Sequence, residues 1–393
     1  MDRLNRRAPD FWLYVPVIIL AGIGVVMVYS ASSIVAADRY GDAAYFLKRQ
    51  LIWVGLGGTA MLLTQRIHYT AFRRFTPFIL LCAVAALALV LLPGIGRVAG
   101  GARRWLTFGG PFSFQPAEAA KLAMALYLAN FLANRGPQLR DFRRGVVPPL
   151  LITGIVFGLI LAQPDLGSAM IIGLVTFVML FVAGARIVHL IGMVSAGIPG
   201  LLVVILGEDY RRQRLLAFLD PWADPQGAGF HIIQSLLALG SGGILGVGLG
   251  HSRQKFFYLP ERHTDFIFSI LGEELGLLGT GAVIALFAVF AYRGFRVARR
   301  APDQFGSLLA SGITTMVVIQ AVLNIGVTTG VLPITGVPLP FLSFGGSSLL
   351  FTMIAWGMLL NISQYARTPA EDEAAQGAPA PPARRRTARA RVT

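Results

Sequence analysis

The sequence predicts an all-α polytopic membrane protein. Three observations carry this. The 393-residue chain is 55% hydrophobic and only 13% charged, where soluble domains sit nearer a quarter charged. Apolar runs close to the roughly 20 residues that a span requires recur along its length. Arginines gather in alternate connecting segments, as the positive-inside rule expects. A net charge of +15 would otherwise point to nucleic acid, but most of the cations flank apolar runs, so no nucleic-acid partner is expected. Cys82 is alone and sits inside an apolar run, which excludes an internal disulfide and leaves the redox compartment unread.

Ten spans are expected, near 11–34, 47–64, 75–95, 117–134, 146–163, 166–184, 187–207, 265–292, 305–331 and 345–363. The first follows Arg3, Arg6 and Arg7 like a signal peptide. It is longer than a signal h-region and many spans follow, so it reads as a retained helix behind a short cytoplasmic N-terminus, 1–10. With that end inside, the inner segments hold 21 Lys and Arg and the outer ones 12. Both termini are therefore expected in the cytoplasm, the membrane domain running over 11–367.

The outer cations depart from the rule and cluster in two loops, where an anionic ligand is expected. The first loop, 96–117, is too rich in Gly and Pro for a regular helix. It carries Arg103, Arg104, Trp105 and Phe108, a basic-aromatic group that would also serve as an interfacial anchor. Glu118 and Lys121 follow at i,i+3 spacing, on one helix face. Gln163-Pro164-Asp165 reads as a tight outer turn, with Asp165 able to cap the next helix.

The second outer loop, 208–264, is the largest. It opens on a charge cluster with Arg211 and Arg212 and continues through the turn chemistry of DPWADP. The glycine-rich apolar stretch 231–250 reads as an interfacial or re-entrant element, tolerable only where its backbone is buried or lines a cavity. The loop ends with Arg253, Lys255, Arg262 and His263, and passes straight into an apolar helix at Asp265. A helix cap is the plain account of Asp265. Glu273 and Glu274, two turns deeper in an apolar segment, require partners or water. Farther on, 332–344 holds three prolines and should fold back against the outer mouth; Gly345 to Ser348, including Ser347, open the last span with helix-start N–H groups that favour an anion. The tail, 368–393, has the composition of a disordered basic segment able to touch anionic lipid.

No zinc or haem spacing, G-x-S-x-G motif or thiol nucleophile is present. What remains is a carboxylate beside basic groups at the outer boundary. Asp265 is placed to take a proton from a hydroxyl, and the cations to stabilise a departing diphosphate. Composition and spacing leave a proton-coupled carrier equally open.

The stretches GARRWLTFGGPFSFQPAEAAKL, AQPDLGSAM, YRRQRLLAFLDPWADPQGAGFHIIQSLLALGSGG, GVGLGHSRQKFFYLPERHTDFIFSILGEELG and NIGVTTGVLPITGVPLPFLSFGGSSLL resemble the SEDS family (shape, elongation, division and sporulation) across nearly all of 11–365. The wording is most similar to the cell-division branch, with the sporulation and elongation branches open. Ala117, Arg103 and Phe344 depart from the family's usual Ser, Lys and Tyr. The resemblance implies a ten-span peptidoglycan polymerase of the bacterial cell membrane, acting at the division septum on lipid II and releasing undecaprenyl diphosphate. It implies that Asp265 is the essential carboxylate. Arg103, Arg104, Lys121, Arg211, Arg212, Arg253 and Lys255 are then candidates for the diphosphate. Glu118, Asp165, His263, Glu273 and Ser347 are candidates for substrate contact or support. On an ideal helix Glu273 lies about 12 Å below Asp265 and Glu274 faces the other way, toward a neighbour. A divalent cation would suit the diphosphate, but no cofactor or metal ligand set is visible. A class B penicillin-binding protein, an FtsI-like transpeptidase, is the implied partner, alongside other division proteins and membrane lipid. A lipid II flippase is the competing reading.

Overall fold

The computed structural model describes residues 6–99, 102–107, 113–256 and 259–367. Phe108 and the tail beyond Arg367 lie outside the described residues, as do positions 1–5. Each of the ten expected spans coincides with a helix: α1 (Phe11–Tyr40), α2 (Tyr45–Arg66), α3 (Tyr69–Leu91), α4 (Pro116–Ala133), α5 (Val147–Leu161), α6 (Leu166–Val182) and α7 (Ile187–Leu206) in the first part. After the large loop come α10 (Ile267–Arg300), α11 (Gln304–Thr328) and α12 (Gly346–Ser363). Seven of the described helices are long and apolar enough to cross a membrane. Of the other three, α6 is apolar but only 17 residues long, and α2 and α4 carry charged and polar residues that lower their hydropathy.

The core is built from α4, the first half of α10, α11 and α12, which are buried over most of their lengths. By contrast α7 is almost wholly exposed along its sides, the condition of a helix facing hydrocarbon. Small residues let the backbones approach. A Cβ on Gly24 would stand 2.6 Å from the Phe341 carbonyl oxygen, so α1 packs directly on the proline-rich strap.

Three features depart from the sequence expectation. The first outer loop is a small antiparallel sheet, β1 (Gly96–Ala99), β2 (Ala102–Thr107) and β3 (Ser113–Phe114), in the order β1-β2-β3. Ala99 pairs with Ala102, so only positions 100 and 101, both Gly, separate the strands. A Gly-Gly pair between short runs is hairpin chemistry. The second loop contains two helices, α8 (Asp209–Leu219) and α9 (Phe230–Gly242), joined by a single 3₁₀ turn over DPWADP.

The third departure explains the glycines. α10 breaks at Gly276, whose φ of +65° lies in the left-handed region. The chain after α9 fits into that break. Val247 and Gly248 donate to the Glu273 and Glu274 carbonyls at 3.0 and 3.1 Å, and Leu277 and Leu278 donate to Gly243 and Ile244 at 2.9 and 3.2 Å. A Cβ on Gly242 would stand 2.0 Å from the Gly272 carbonyl oxygen. The re-entrant backbone is thus satisfied by α10, as burial away from water requires.

Candidate active site

Asp265 sits in the turn just before α10, not inside it, and does not cap it. Its carbonyl accepts from the Asn324 side-chain amide at 2.7 Å, and the same amide donates to Val337 O at 2.8 Å. On either side, Ser343 Oγ donates to Thr264 O at 2.6 Å and the Phe344 N–H donates to His263 O at 2.9 Å. The strap 332–344 therefore holds the backbone of 263–265 in place. Among the described residues the Asp265 carboxylate itself makes no hydrogen bond or ion pair with protein.

That carboxylate lines two cavities. One, of 590 Å³, is bounded by α8, α9 and the DPWADP turn, with Tyr210, Arg214, Asp220, His231 and Ile334 among its walls. The other, of 360 Å³, lies under the sheet and is lined by Arg49, Arg104, Trp105, Gln115, His263 and Ser348. Asp265 and Glu261 belong to both. Glu261 has φ of +48°, a left-handed conformation uncommon outside glycine. It accepts from Thr264 Oγ1 at 2.9 Å, and its carbonyl accepts from the Thr264 and Phe266 N–H groups. Backbone strain of this kind collects at functional sites.

Burial pushes the Asp265 carboxyl up to about 7, with Glu261 and Asp165 adding to the rise and Arg214 and Arg104 opposing it. A carboxyl so placed is poised to exchange a proton near neutral pH. His263 moves the other way. Burial holds its imidazole down to about 4, so it is a neutral ring packed on Phe46 and Phe344, not a cation.

Several expected residues do converge. Arg104 Nε donates to Gln163 O at 2.9 Å and its Nη2 to Pro164 O, tying β2 to the 163–165 turn while the side chain lines the smaller cavity. Asp165 caps α6 through the Ser168 N–H at 3.0 Å and accepts from Gln115 Nε2 at 3.3 Å. Arg211 spans the Val204 and Leu161 carbonyls and borders a third, apolar slot of 110 Å³ between α6 and α7. That slot shares Tyr210, Arg214 and Ile334 with the larger cavity.

Others are placed elsewhere. Arg103 faces solvent from the opposite side of β2 to Ala102 and Leu106. Arg212 and Arg253 are exposed and line none of these cavities. Lys255 is not free for a diphosphate: it is buried against Glu274 at 3.2 Å. Glu274 accepts from Ser30 of α1 at 2.7 Å, the neighbour-helix role expected of it. Glu273 supports the loop rather than a substrate, accepting from Ser252 Oγ and from the Arg253 and Gln254 N–H groups at 2.8 and 3.3 Å. Lys121 pairs with Glu118 at 2.8 Å and donates to Gln320 at 2.7 Å, and Gln320 donates to Pro338 O of the strap at 3.0 Å. The pair is wiring beneath the site. Ser347 joins α12 to β3 through Ser113 O and the Gln115 N–H; Ser348 is the serine that lines the cavity.

Arg214, Arg49 and Glu261 were not singled out as site residues from sequence. Tyr210, Arg211 and Arg214 stand at i, i+1 and i+4, and only helical geometry in α8 brings Arg214 over the Tyr210 ring, 4.2 Å from its centroid. Among the described residues no three His, Cys, Asp or Glu side chains gather to hold a metal ion.

A family model described as a cell cycle protein, FtsW/RodA/SpoVE, matches residues 11–368. Stage V sporulation protein E of Bacillus subtilis (strain 168) is 47% identical over 363 residues, 92% of this chain and 99% of that protein. The probable peptidoglycan glycosyltransferase FtsW of Geobacter metallireducens is 48% identical over 354 residues, 90% of this chain and 94% of that one. Among solved structures, a chain from work on the structural coordination of polymerization and crosslinking by a peptidoglycan synthase complex superposes with a TM-score of 0.75 at 34% identity, covering 91% of this chain and 98% of that one. The rod shape determining protein RodA of Thermus thermophilus superposes with a TM-score of 0.68 at 31% identity, covering 92% and 98%.

Proposed function

The chain belongs to the FtsW/RodA/SpoVE family of cell cycle proteins, and from that premise we propose how its outer site makes glycan. It is a multi-pass membrane protein and a peptidoglycan glycosyltransferase. The observation that carries the mechanism is the carboxylate of Asp265, without a protein partner among the described residues, in the wall common to two cavities.

Two substrates must meet at one base. The acceptor sugar occupies the smaller cavity, where Arg49, Arg104, Gln115 and Trp105 offer donors and an aromatic face. Asp265 takes the proton of its GlcNAc 4-hydroxyl. The oxygen attacks C1 of the donor MurNAc in the larger cavity with inversion, forming the β-1,4 bond. The C1–O bond to the diphosphate breaks, and undecaprenyl diphosphate leaves with the electron pair. Arg214 and Arg211 stabilise that developing charge, and arginine suits phosphate oxygens because it offers a planar pair of donors. The apolar slot lined by Leu166, Met170 and Leu201 takes the first units of the prenyl chain and opens toward lipid along α7. Near-neutral proton affinity at Asp265 lets it accept the proton in one step and return it to water in the next.

Both termini lie in the cytoplasm in this reading, and the site faces outward. Lipid II is the substrate and the division septum the place of action. A class B penicillin-binding protein is the partner that cross-links the product, supported by the likeness to a chain of a synthase complex.

The test uses purified full-length chain with its partner and labelled lipid II, in detergent and in sealed vesicles. Long glycan that a muramidase digests is the expected product. Transfer of lipid II across the vesicle wall with no polymer would replace the polymerase with a flippase.

A further inference from the structure

We infer that the groove between α3, α4 and α5 at the cytoplasmic face holds an anionic phospholipid of the inner leaflet, an acyl chain on its apolar wall and the phosphate on Arg135 and Arg73. The groove has a volume of 510 Å³ and is separate from the outer site. Its wall is Leu80, Leu81, Val84, Ile152, Ile155 and Val156, and its mouth carries Asn130, Asn134 and Arg135. Along α3 it runs from Thr76 to Val84, about 12 Å at the helical rise. That is most of one leaflet's hydrocarbon depth, about 15 Å. The polar end lies where α4 ends and α5 begins, so it sits at headgroup level.

Charge decides which lipid. Segments 66–77 and 130–147 hold seven arginines and one acid, Asp141. Arg73 reaches the mouth through Asn130, which accepts from its Nε at 3.1 Å, and through Asn134. Its guanidinium also lies 5.6 Å from the Phe305 ring centroid. Arg135 stacks on Phe131 at 4.8 Å and donates to Gln138. Neither guanidinium forms an ion pair among the described residues. Two pre-oriented, uncompensated cations above an apolar trough complement an anionic headgroup, whose phosphate accepts from arginine in a bidentate manner. Asn130, half-buried at the mouth, supplies a further donor for the glycerol ester oxygens.

Native mass spectrometry of the purified full chain tests this, titrating phosphatidylglycerol and phosphatidylcholine of equal acyl length. The expected result is preferential retention of phosphatidylglycerol. Arg73→Gln and Arg135→Gln each reduce that retention about fivefold without a matching change for phosphatidylcholine. Leu81→Trp, at a position 65% exposed on the trough wall, lowers retention of both lipids. Equal retention of the two lipids by the native chain would overturn the inference, as would a preference that survives the double arginine variant. Displacement of the lipid by a partner's membrane helix would also overturn it, since the groove would then be a protein interface. Polymer formation on the outer side, measured in the same preparations, reports whether each variant is folded.

Discussion

Replacing Lys255 by Met should damage the protein far more than replacing Lys255 and Glu274 together. In the native chain the Lys255 ammonium lies 3.2 Å from the Glu274 carboxylate, with the two side chains 5% and 0% exposed. It also donates to Ser30 Oγ at 3.4 Å and to the Gly250 carbonyl. Removing it leaves a carboxylate in the interior with Ser30 as its main remaining donor. An uncompensated buried charge costs about 3–5 kcal/mol, whereas exchanging both members of such a pair for neutral groups is often nearly free. For a chain of this size 4 kcal/mol corresponds to a fall of about 5 °C in melting midpoint. The assay is the apparent midpoint of purified native chain, Lys255→Met, Glu274→Gln and the double variant in one detergent. Lys255→Met should fall by several degrees, and the double variant should recover more than half of that loss. A double variant as unstable as Lys255→Met, or more so, would refute the reasoning. The two residues would then contribute packing, not a coupled charge.

Further predictions concern the site and its frame. The rate of glycan formation should rise with pH through about 7, as the raised Asp265 carboxyl ionises. Glu261→Gln removes a neighbouring negative charge and moves that limb to lower pH, while Arg214→Gln removes a positive one and moves it up; limbs that stay fixed in both would exclude the arrangement. Stability follows the same group. Its folded pKa lies above its unfolded one, so between about 4 and 7 the unfolded chain ionises first and the fold loses stability as pH rises. Asp265→Asn should therefore raise the melting midpoint more at pH 8 than at pH 5. Gly242→Ala, whose new Cβ would stand 2.0 Å from the Gly272 carbonyl oxygen, should part α9 from α10 at a cost of about 1–3 kcal/mol and lower activity; Gly240→Ala, with nothing within 4 Å, should change neither.

The spans were legible because burial in lipid demands a long apolar run, and 187–207 or 305–331 can hardly be anything else. Spacing alone offers Asp265 as one of several carboxylates near an outer boundary, with a helix cap as its plain account; it is the family resemblance that singles it out. Its partners were not legible. Which arginine faces a cavity depends on the side of a strand or helix it occupies. Arg103 and Arg104 are neighbours in sequence, yet the alternation of β2 sends one to solvent and the other to the site. The sequence around β2 excludes a regular helix but does not show the strand itself, since Gly and Pro mask its short runs. Lys255 reads as a ligand for an anion because its carboxylate partner, 19 residues on, leaves no local signal; the Lys121–Glu118 pair is visible in the i,i+3 spacing, but its burial and its link to Gln320 are not. The glycines of 240–250 pointed to a re-entrant segment, but the break at Gly276 that receives them lies in another element. The strap 332–344 was expected at the outer mouth; that it grips the Asp265 backbone through Asn324 and Ser343 is a tertiary fact with no local signal.

The measurement closest to the central claim compares native chain with Asp265→Asn for both lipid II binding and polymer formation in the same samples with the partner present. Asn preserves the shape of the cavity wall and the backbone bond to Asn324, and removes only the proton acceptor. The account predicts binding within a few-fold of native and polymer reduced by at least about a hundredfold, the low end of what a positioned base contributes. Polymer at the native rate from the folded variant would contradict it and move the base elsewhere on the shared wall, with Glu261 first.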